Sequence, residues 1–132
     1  MTCAGCIDMK YLLSPDDLPA FDAMGPGIDA KLFNGAGHGL PGISVIMNET
    51  HPGHGARRHR HSYDELFVVQ EGTCTFILGD EAVVATAGHI VLVPAGIPHS
   101  FENTGPTLVR QLAIHAAGEV ALERVDEGQQ ET

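Results

Sequence analysis

The sequence predicts a single all-β domain of the barrel or sandwich type. The 132-residue chain is long enough for one hydrophobic core and too short for two ordinary domains. Its sixteen glycines and eight prolines imply many turns and few long helices, while 43% hydrophobic and 18% charged residues are typical of a globular protein. From residue 29 onward, short extended runs alternate with Gly, Pro, Asn and Asp, as expected of such a fold.

Three regions follow from the order of these elements. Residues 1–28 are an N-terminal extension, in which Ser14 and the following Pro-Asp-Asp predict only a short helical turn. Residues 29–118 are the β-barrel, and residues 119–132 are a C-terminal tail that begins as a short helix or strand and ends frayed. The extended segments of the barrel read, in order, AKLFN, GISVIMNET, RRHRHSYDELFVVQ, TCTFIL, EAVVAT, HIVLVP, HSFEN and TLVRQLAIHA.

The charge balance excludes whole classes of partner. Seven Lys and Arg residues against seventeen Asp and Glu residues give a formal net charge of −10. A field of this sign repels phosphate backbones and anionic membrane surfaces, so we expect no nucleic acid or membrane partner. The sequence begins without a positive stretch followed by an apolar run, and no segment reaches the roughly 18 uninterrupted apolar residues of a membrane span. We therefore expect a soluble, cytoplasmic protein.

The three cysteines do not complete a zinc site. Cys3 and Cys6 form a C-x-x-C pair, but a tetrahedral zinc site usually needs a second pair, and a redox motif needs a strand-to-helix context. The pair is expected to lie in a peripheral tail, and a metal or redox role stays open as the alternative. Cys74 falls within an apolar run and is predicted to be a buried thiol.

The segment RRHRHSYDELFVVQ concentrates groups that bind metals. Along a strand, His59, His61 and Glu65 share a parity and would point to one face. Two imidazoles and a carboxylate within seven residues suit a divalent transition metal, because Fe, Mn, Ni, Co and Zn all accept such ligands. The alternative is a polar outer strand with solvated histidines.

The spacing around this segment is more specific. Residues 53–72 read G-x5-H-x-H-x3-E-x6-G, and residues 88–103 read G-x5-P-x-G-x2-H-x3-N. These two patterns resemble both sequence motifs of the cupin superfamily, and the resemblance covers residues 42–116. It implies a double-stranded β-helix, or jelly-roll barrel, with one copy of each motif in a single barrel. It also implies that Gly72, Gly88 and Gly96 form turns and that Asn103 holds a loop.

The resemblance also implies a cofactor and an assembly. Its metal ligands would be His59, His61, Glu65 and His99, holding one divalent transition metal ion (Fe, Mn, Ni, Zn or Co) and leaving about two coordination positions open. Barrels of this superfamily commonly pair by exchanging edge strands, so we expect a homodimer.

Five further residues are candidates for a substrate pocket: Arg57, Tyr63, Phe67, Phe101 and Gln111. Arg57 shares the parity of His59 and would bind a carboxylate or phosphate, unless it pairs with acidic side chains at the surface. The three aromatic residues suit a pocket wall, although core packing explains them equally well. Gln111 shares a parity with His115 on the last core strand, and either faces the cavity or points outward.

These features favour a metal-dependent enzyme that acts on a small molecule. The expected type is a dioxygenase or related oxidoreductase, because an open metal site in an apolar barrel activates a bound ligand or dioxygen. Metal-dependent isomerases, decarboxylases and lyases use a similar ligand set. The alternative from another class is a non-catalytic small-ligand-binding or sensor barrel, which would bind its ligand without turnover.

Overall fold

The computed structural model describes residues 11–125, which form ten β-strands and two 3₁₀ helices. The helices span Pro15–Asp17 and Gly35–His38. The strands are β1 (Ile28–Asn34), β2 (Ser44–Thr50), β3 (Gly55–Arg60), β4 (Glu65–Glu71), β5 (Thr73–Leu78), β6 (Glu81–Thr86), β7 (Ile90–Val93), β8 (His99–Asn103), β9 (Val109–His115) and β10 (Glu123–Arg124).

The strands form two five-stranded sheets, with the orders β1-β2-β9-β4-β7 and β10-β3-β8-β5-β6. All of their strand pairs are antiparallel. The chain changes sheet between β2 and β3, and again between β3 and β4, so that the two sheets face each other across a shared core. This arrangement confirms the predicted all-β, double-stranded β-helix fold.

One predicted strand is wrong. RRHRHSYDELFVVQ forms two strands, because β3 ends at Arg60 in one sheet and β4 begins at Glu65 in the other. The intervening turn is polar and is held by the Asp64 carboxylate, which accepts a hydrogen bond from the Ala95 N–H at 2.9 Å. Turning here lets both halves of the segment bury side chains from opposite sides of the core.

The core lies between the sheets and is centred on Phe67, Phe76 and Phe101. Their ring centroids are 4.9 to 5.7 Å apart, within the usual range for aromatic pairs. Cys74 is buried as predicted, and burial raises the pKa of its thiol to about 12. It is therefore a structural thiol. Cys3 and Cys6 lie outside the described residues.

An N-terminal segment covers one end of the barrel. Ser14 caps the short helical turn predicted there, with its Oγ accepting a hydrogen bond from the Asp16 N–H. The Phe21 N–H then donates to the Ala30 carbonyl at 2.9 Å, and Phe21 and Met24 pack against the core. Across residues 11–125, no helix combines the length and apolar character that crossing a membrane requires.

A second segment, residues 119–125, crosses the same end and is called here the C-terminal strap. Its strand β10 pairs with the end of β3, and Val125 is buried. The Arg124 guanidinium donates to the Ala23 carbonyl at 2.8 Å. The strap and the N-terminal segment therefore meet above the barrel.

The turns expected from the motif glycines are present. Gly72, Gly88 and Gly96 have φ angles of 88°, 93° and 84°, in the region that favours glycine. At Gly72 a Cβ atom would also lie 2.6 Å from the Leu108 carbonyl oxygen. Asn103 holds its loop as predicted, since its side-chain N–H groups donate to the carbonyls of Thr50 and Thr107, both at 2.8 Å.

Candidate metal site

The four predicted ligands converge at the covered end of the core. His59 on β3 is paired in register with His99 on β8, His61 follows β3, and Glu65 opens β4 in the opposite sheet. All four are buried, and one ligand atom from each lies within 4.8 Å of the others. Three imidazoles and one carboxylate at this separation form a group that could hold a metal ion.

Backbone carbonyls orient all three imidazoles. The Nδ1 atoms of His59, His61 and His99 lie 2.6, 2.6 and 2.8 Å from the carbonyl oxygens of residues 57, 121 and 97. A carbonyl only accepts hydrogen bonds, so each Nδ1 carries a proton, and in the neutral ring Nε2 then presents its lone pair. Such a second hydrogen bond is the usual device that fixes a metal-binding histidine.

The lone pairs meet a carboxylate oxygen. Nε2 of His61 and Nε2 of His99 lie 3.1 and 3.0 Å from Glu65 Oε1. His61 Nε2 is buried and makes no aligned hydrogen bond. Neutral imidazole nitrogens and a carboxylate oxygen repel one another unless a cation or a proton lies between them. The donor set therefore fits a divalent metal ion.

The electrostatics of the site favour an ionised Glu65 and a neutral His59, whereas in the absence of a metal they favour protonation of His61. Burial alone would raise the pKa of the Glu65 carboxyl, but contacts with His115, His61 and His99 outweigh burial and hold that pKa well below its usual range. Burial, together with the neighbouring His99, lowers the pKa of His59 to about 4, so this ring is neutral at pH 7. Burial also acts to lower the pKa of His61, but the Glu65 carboxylate and the Ala121 carbonyl reverse that effect and raise it.

A fourth imidazole touches the site. His115 on β9 is buried, and its Nε2 lies 3.1 Å from Glu65 Oε2, the carboxylate oxygen that does not face His61 and His99. Its Nδ1 lies 2.9 Å from the Tyr63 hydroxyl. The parity of β9 had placed His115 among the residues that could face the cavity, and its contact with Glu65 fits a residue that orients a metal ligand.

The structure separates the five predicted pocket residues. Arg57, Phe67 and Phe101 line a cavity that His59, His61 and Glu65 also line. Tyr63 stacks on His61 with ring centroids 4.9 Å apart, and its hydroxyl bonds to the strap rather than lining the cavity. Gln111 is fully buried in another layer of the barrel, where its amide has no hydrogen-bond partner.

Sequence reasoning missed the parts of the site that come from the two terminal segments. Phe21, Met24, Val120 and Leu122 line the cavity and make its roof mostly apolar. The Ala121 carbonyl orients His61, a role that a backbone group can play whatever its side chain. No residue pattern marks such a role, so only the fold could reveal it.

Comparison with protein families and curated proteins gives consistent matches. A family model described as Cupin domain matches residues 47–115, just over half of the chain. The chain is 32% identical over 124 residues to Protein SchB of Streptomyces halstedii, covering 85% of this chain and 86% of that protein. It is 27% identical over 109 residues to the HTH-type transcriptional regulator PuuR of Escherichia coli, and spans 56% of the regulator's length.

Solved structures share the fold. The polyketide cyclase RemF from Streptomyces resistomycificus matches with a TM-score of 0.72 and 19% identity, over 90% of this chain and 87% of that one. An S161A mutant of Bacillus subtilis oxalate decarboxylase OxdC matches with a TM-score of 0.75 and 16% identity, over 84% of this chain and 31% of that one.

The lowered pKa of His59 predicts an acid-sensitive fold for the metal-free protein. Between pH 6.5 and about 4 the unfolded chain binds a proton at this position that the folded chain does not, so stability is lost as pH falls through that window. We expect a loss of about 2 kcal/mol between pH 7 and pH 5 from this residue. Urea unfolding of chelator-treated protein at several pH values measures this loss of unfolding free energy. His59→Asn should make the unfolding free energy less dependent on pH. An equal pH slope in the variant would contradict the assignment.

Proposed function

The chain belongs to the cupin family, and on that premise we propose that it is a metal-dependent enzyme acting on a small molecule that carries oxygen ligands. One divalent transition metal ion would be held by His59, His61, Glu65 and His99. A cytoplasmic location stays an expectation from the sequence alone.

The observation that carries this proposal is the orientation of the buried ligands. The Nε2 atoms of His61 and His99 lie about 3 Å from one ionised carboxylate, a ligand atom of His59 lies within 4.8 Å of the group, and a backbone carbonyl fixes each ring through its Nδ1. Such a cluster is unfavourable in an apolar core without positive charge between its members. Its position at the floor of a cavity supports a role with a ligand rather than a purely structural one.

The surroundings of the site supply the rest of the chemistry. A bound divalent ion would act as a Lewis acid that polarises a substrate carbonyl and increases the acidity of the adjacent C–H group. The apolar side chains of Phe21, Met24, Phe67 and Leu122 would exclude water from the reacting atoms. The substrate is therefore expected to combine an apolar body with two neighbouring oxygen atoms.

The first reaction we propose is carbon–carbon ring closure in a chain with several carbonyl groups. A carbon between two carbonyls loses a proton, bonds to another carbonyl carbon of the same molecule, and water leaves. The fold similarity to a polyketide cyclase over nearly the whole of both chains supports this choice, as does the apolar cavity.

Dioxygenation is the second candidate. Four protein ligands leave about two coordination positions, enough for one substrate oxygen and dioxygen. In that reaction both oxygen atoms of O₂ enter the product. A non-catalytic ligand-binding barrel would give neither product, and isomerisation or decarboxylation would give products without ring closure or added oxygen.

Loading with single metals tests the proposal. Wild-type protein is stripped with chelator, reloaded with Zn, Mn, Fe or Ni, and mixed with small 1,3-diketones and longer chains of alternating carbonyls. We expect about one metal ion per chain and a product that has lost one water without oxygen uptake, whereas dioxygenation would consume oxygen. His99→Ala should lose both metal and turnover, and His51→Ala, an exposed histidine paired with Asp29, should keep both. Turnover that survives in the stripped protein or in His99→Ala would refute the proposal.

Arg57 is proposed to recognise an acidic group on the substrate. It lines the cavity and is exposed, and within residues 11–125 it is the one Lys or Arg side chain without a hydrogen bond or ion pair. A free guanidinium is unexpected in a chain of net charge −10 unless another anion is its partner.

Substitution of Arg57 should therefore affect substrate binding and not metal binding. For an acidic substrate, Arg57→Gln is expected to raise KM by about tenfold or more, with unchanged metal content, because a charge-assisted hydrogen bond contributes about 1.5 to 3 kcal/mol. Steady-state kinetics and elemental analysis give both values. Arg110→Gln, which breaks ion pairs with Glu49 and Glu71 outside the cavity, is the control. Equal KM values in the two variants would remove Arg57 from the site.

A homodimer is proposed through the outer side of the first sheet. In register across its five strands run two rows of side chains, which we call the apolar face: Phe33, Val45, Ile114, Leu66 and Leu92, and then Lys31, Met47, Leu112, Val68 and Ile90. Nine of these ten side chains are apolar and none is acidic. A second copy is the partner we favour, because two chains of net charge −10 repel each other except where acidic groups are absent.

A charge on the apolar face should dissociate the dimer. Leu92 is 68% exposed on β7, so Leu92→Glu is expected to give a folded monomer at micromolar concentration by light scattering. Val84→Glu, at a site 62% exposed on the other sheet, should remain dimeric. A monomeric wild-type protein would contradict this interface. So would a Leu92→Glu variant that remains dimeric, because dimerisation would then use edge-strand exchange or another face.

A further inference from the structure

The cavity at the candidate metal site is narrow. The free volume that a water-sized molecule can enter is about 20 Å³, which is room for about one water. No organic substrate fits there, so part of the wall has to move before a substrate reaches the floor. The wall consists of residues from both sheets and from the two terminal segments.

The C-terminal strap is exposed at residues 121–124, and its two ends are bound by the Val120 N–H to Asn34 Oδ1 and by the Val125 N–H to the Arg58 carbonyl, both at 3.1 Å. β10 is only two residues long, and the Arg60–Glu123 ion pair on it, at 2.7 Å, is partly exposed. The N-terminal segment is bound to β1 by two backbone hydrogen bonds, from the Phe21 N–H to the Ala30 carbonyl and from the Leu32 N–H to the Pro19 carbonyl. A segment with few buried contacts and exposed hydrogen bonds opens at low free energy.

One hydroxyl group holds the centre of the strap. The Tyr63 hydroxyl accepts a hydrogen bond from the Ala121 N–H at 3.1 Å and lies 3.0 Å from the Ala121 carbonyl oxygen, to which it donates. Both backbone groups of the residue above the cavity are therefore bound to a single side-chain atom. Tyr63 itself follows β3 in the polar turn between the sheets and stacks on His61.

The same atoms continue into the metal site in two directions. The Ala121 carbonyl also accepts the hydrogen bond from His61 Nδ1, and the Tyr63 hydroxyl lies 2.9 Å from His115 Nδ1. His115 Nε2 in turn lies 3.1 Å from Glu65 Oε2. A closed circuit thus joins the strap to His61 on one side and to Glu65 on the other.

We propose that the C-terminal strap is a lid over the cavity and that Tyr63 is the clamp that keeps it closed, an inference that rests on the proposed function. Opening the lid exposes the cavity and at the same time removes the carbonyl that orients His61. Closing it restores that hydrogen bond. Entry of the substrate and orientation of a metal ligand are therefore coupled through one positioning residue, Tyr63, which does not line the cavity.

The clamp is tested with Tyr63→Phe, which removes only the hydroxyl. Loss of hydrogen bonds to Ala121 should speed amide hydrogen exchange in residues 121–125 by about fivefold or more in the metal-free protein, since one hydrogen bond contributes about 1 kcal/mol. In zinc-loaded protein, transfer of zinc to an excess of chelator should also accelerate about tenfold, while equilibrium zinc content stays near wild type. Ser62→Ala, an exposed neighbouring change, should alter neither rate.

Each arm has a result that overturns the proposal. Unchanged hydrogen exchange in Tyr63→Phe would show that Tyr63 is not the clamp, and faster exchange with unchanged zinc release would show that the strap is not coupled to the ligands. If Tyr63→Phe does not fold, Arg60→Gln weakens the other end of the strap, and the same two rates should rise together. If wild-type protein binds neither zinc nor any other loaded metal, the proposed function is wrong. That result is distinct from unchanged hydrogen exchange and from unchanged zinc release in Tyr63→Phe.

Discussion

The buried charge of Glu65 is the constraint on which the covered end of the barrel depends. An ionised carboxylate in an apolar core is costly, and here His61, His99 and His115 surround it within about 3 Å. These imidazoles come from both sheets and from the turn between β3 and β4. The position of that turn, the approach of the sheets and the path of the strap are all consistent with satisfying this one group.

The interior is divided into layers with different chemistry. Below the histidines, Phe67, Phe76 and Phe101 form an aromatic layer that separates the site from the opposite end of the barrel. Beyond it lie buried amides, among them Asn48 and Gln111, paired in register on β2 and β9. The aromatic layer keeps these polar groups away from the ligands, so the electrostatics of the site are set by its own members.

Motif spacing predicted the fold and selected four side chains that the structure places close together, because turns and ligand positions are both tied to residue type. The single strand assumed for His59, His61 and Glu65 was wrong, yet the residues still converge, since the sheets face each other across the turn. The sequence did not predict which residues cover the cavity. The Ala121 carbonyl and the apolar contacts of Phe21 and Val120 depend on where two terminal segments cross, and no local pattern encodes that crossing.

The division of the ligands between sheets has a further consequence. His59 and His99 belong to one sheet and Glu65 to the other, so a single ion shared by them would fasten two layers much as an intersheet disulfide does. Without that ion, we expect the two sheets to separate first at the end of the barrel that the strap covers. A shortage of metal would then appear as faster proteolysis of the polypeptide, and not only as an empty site.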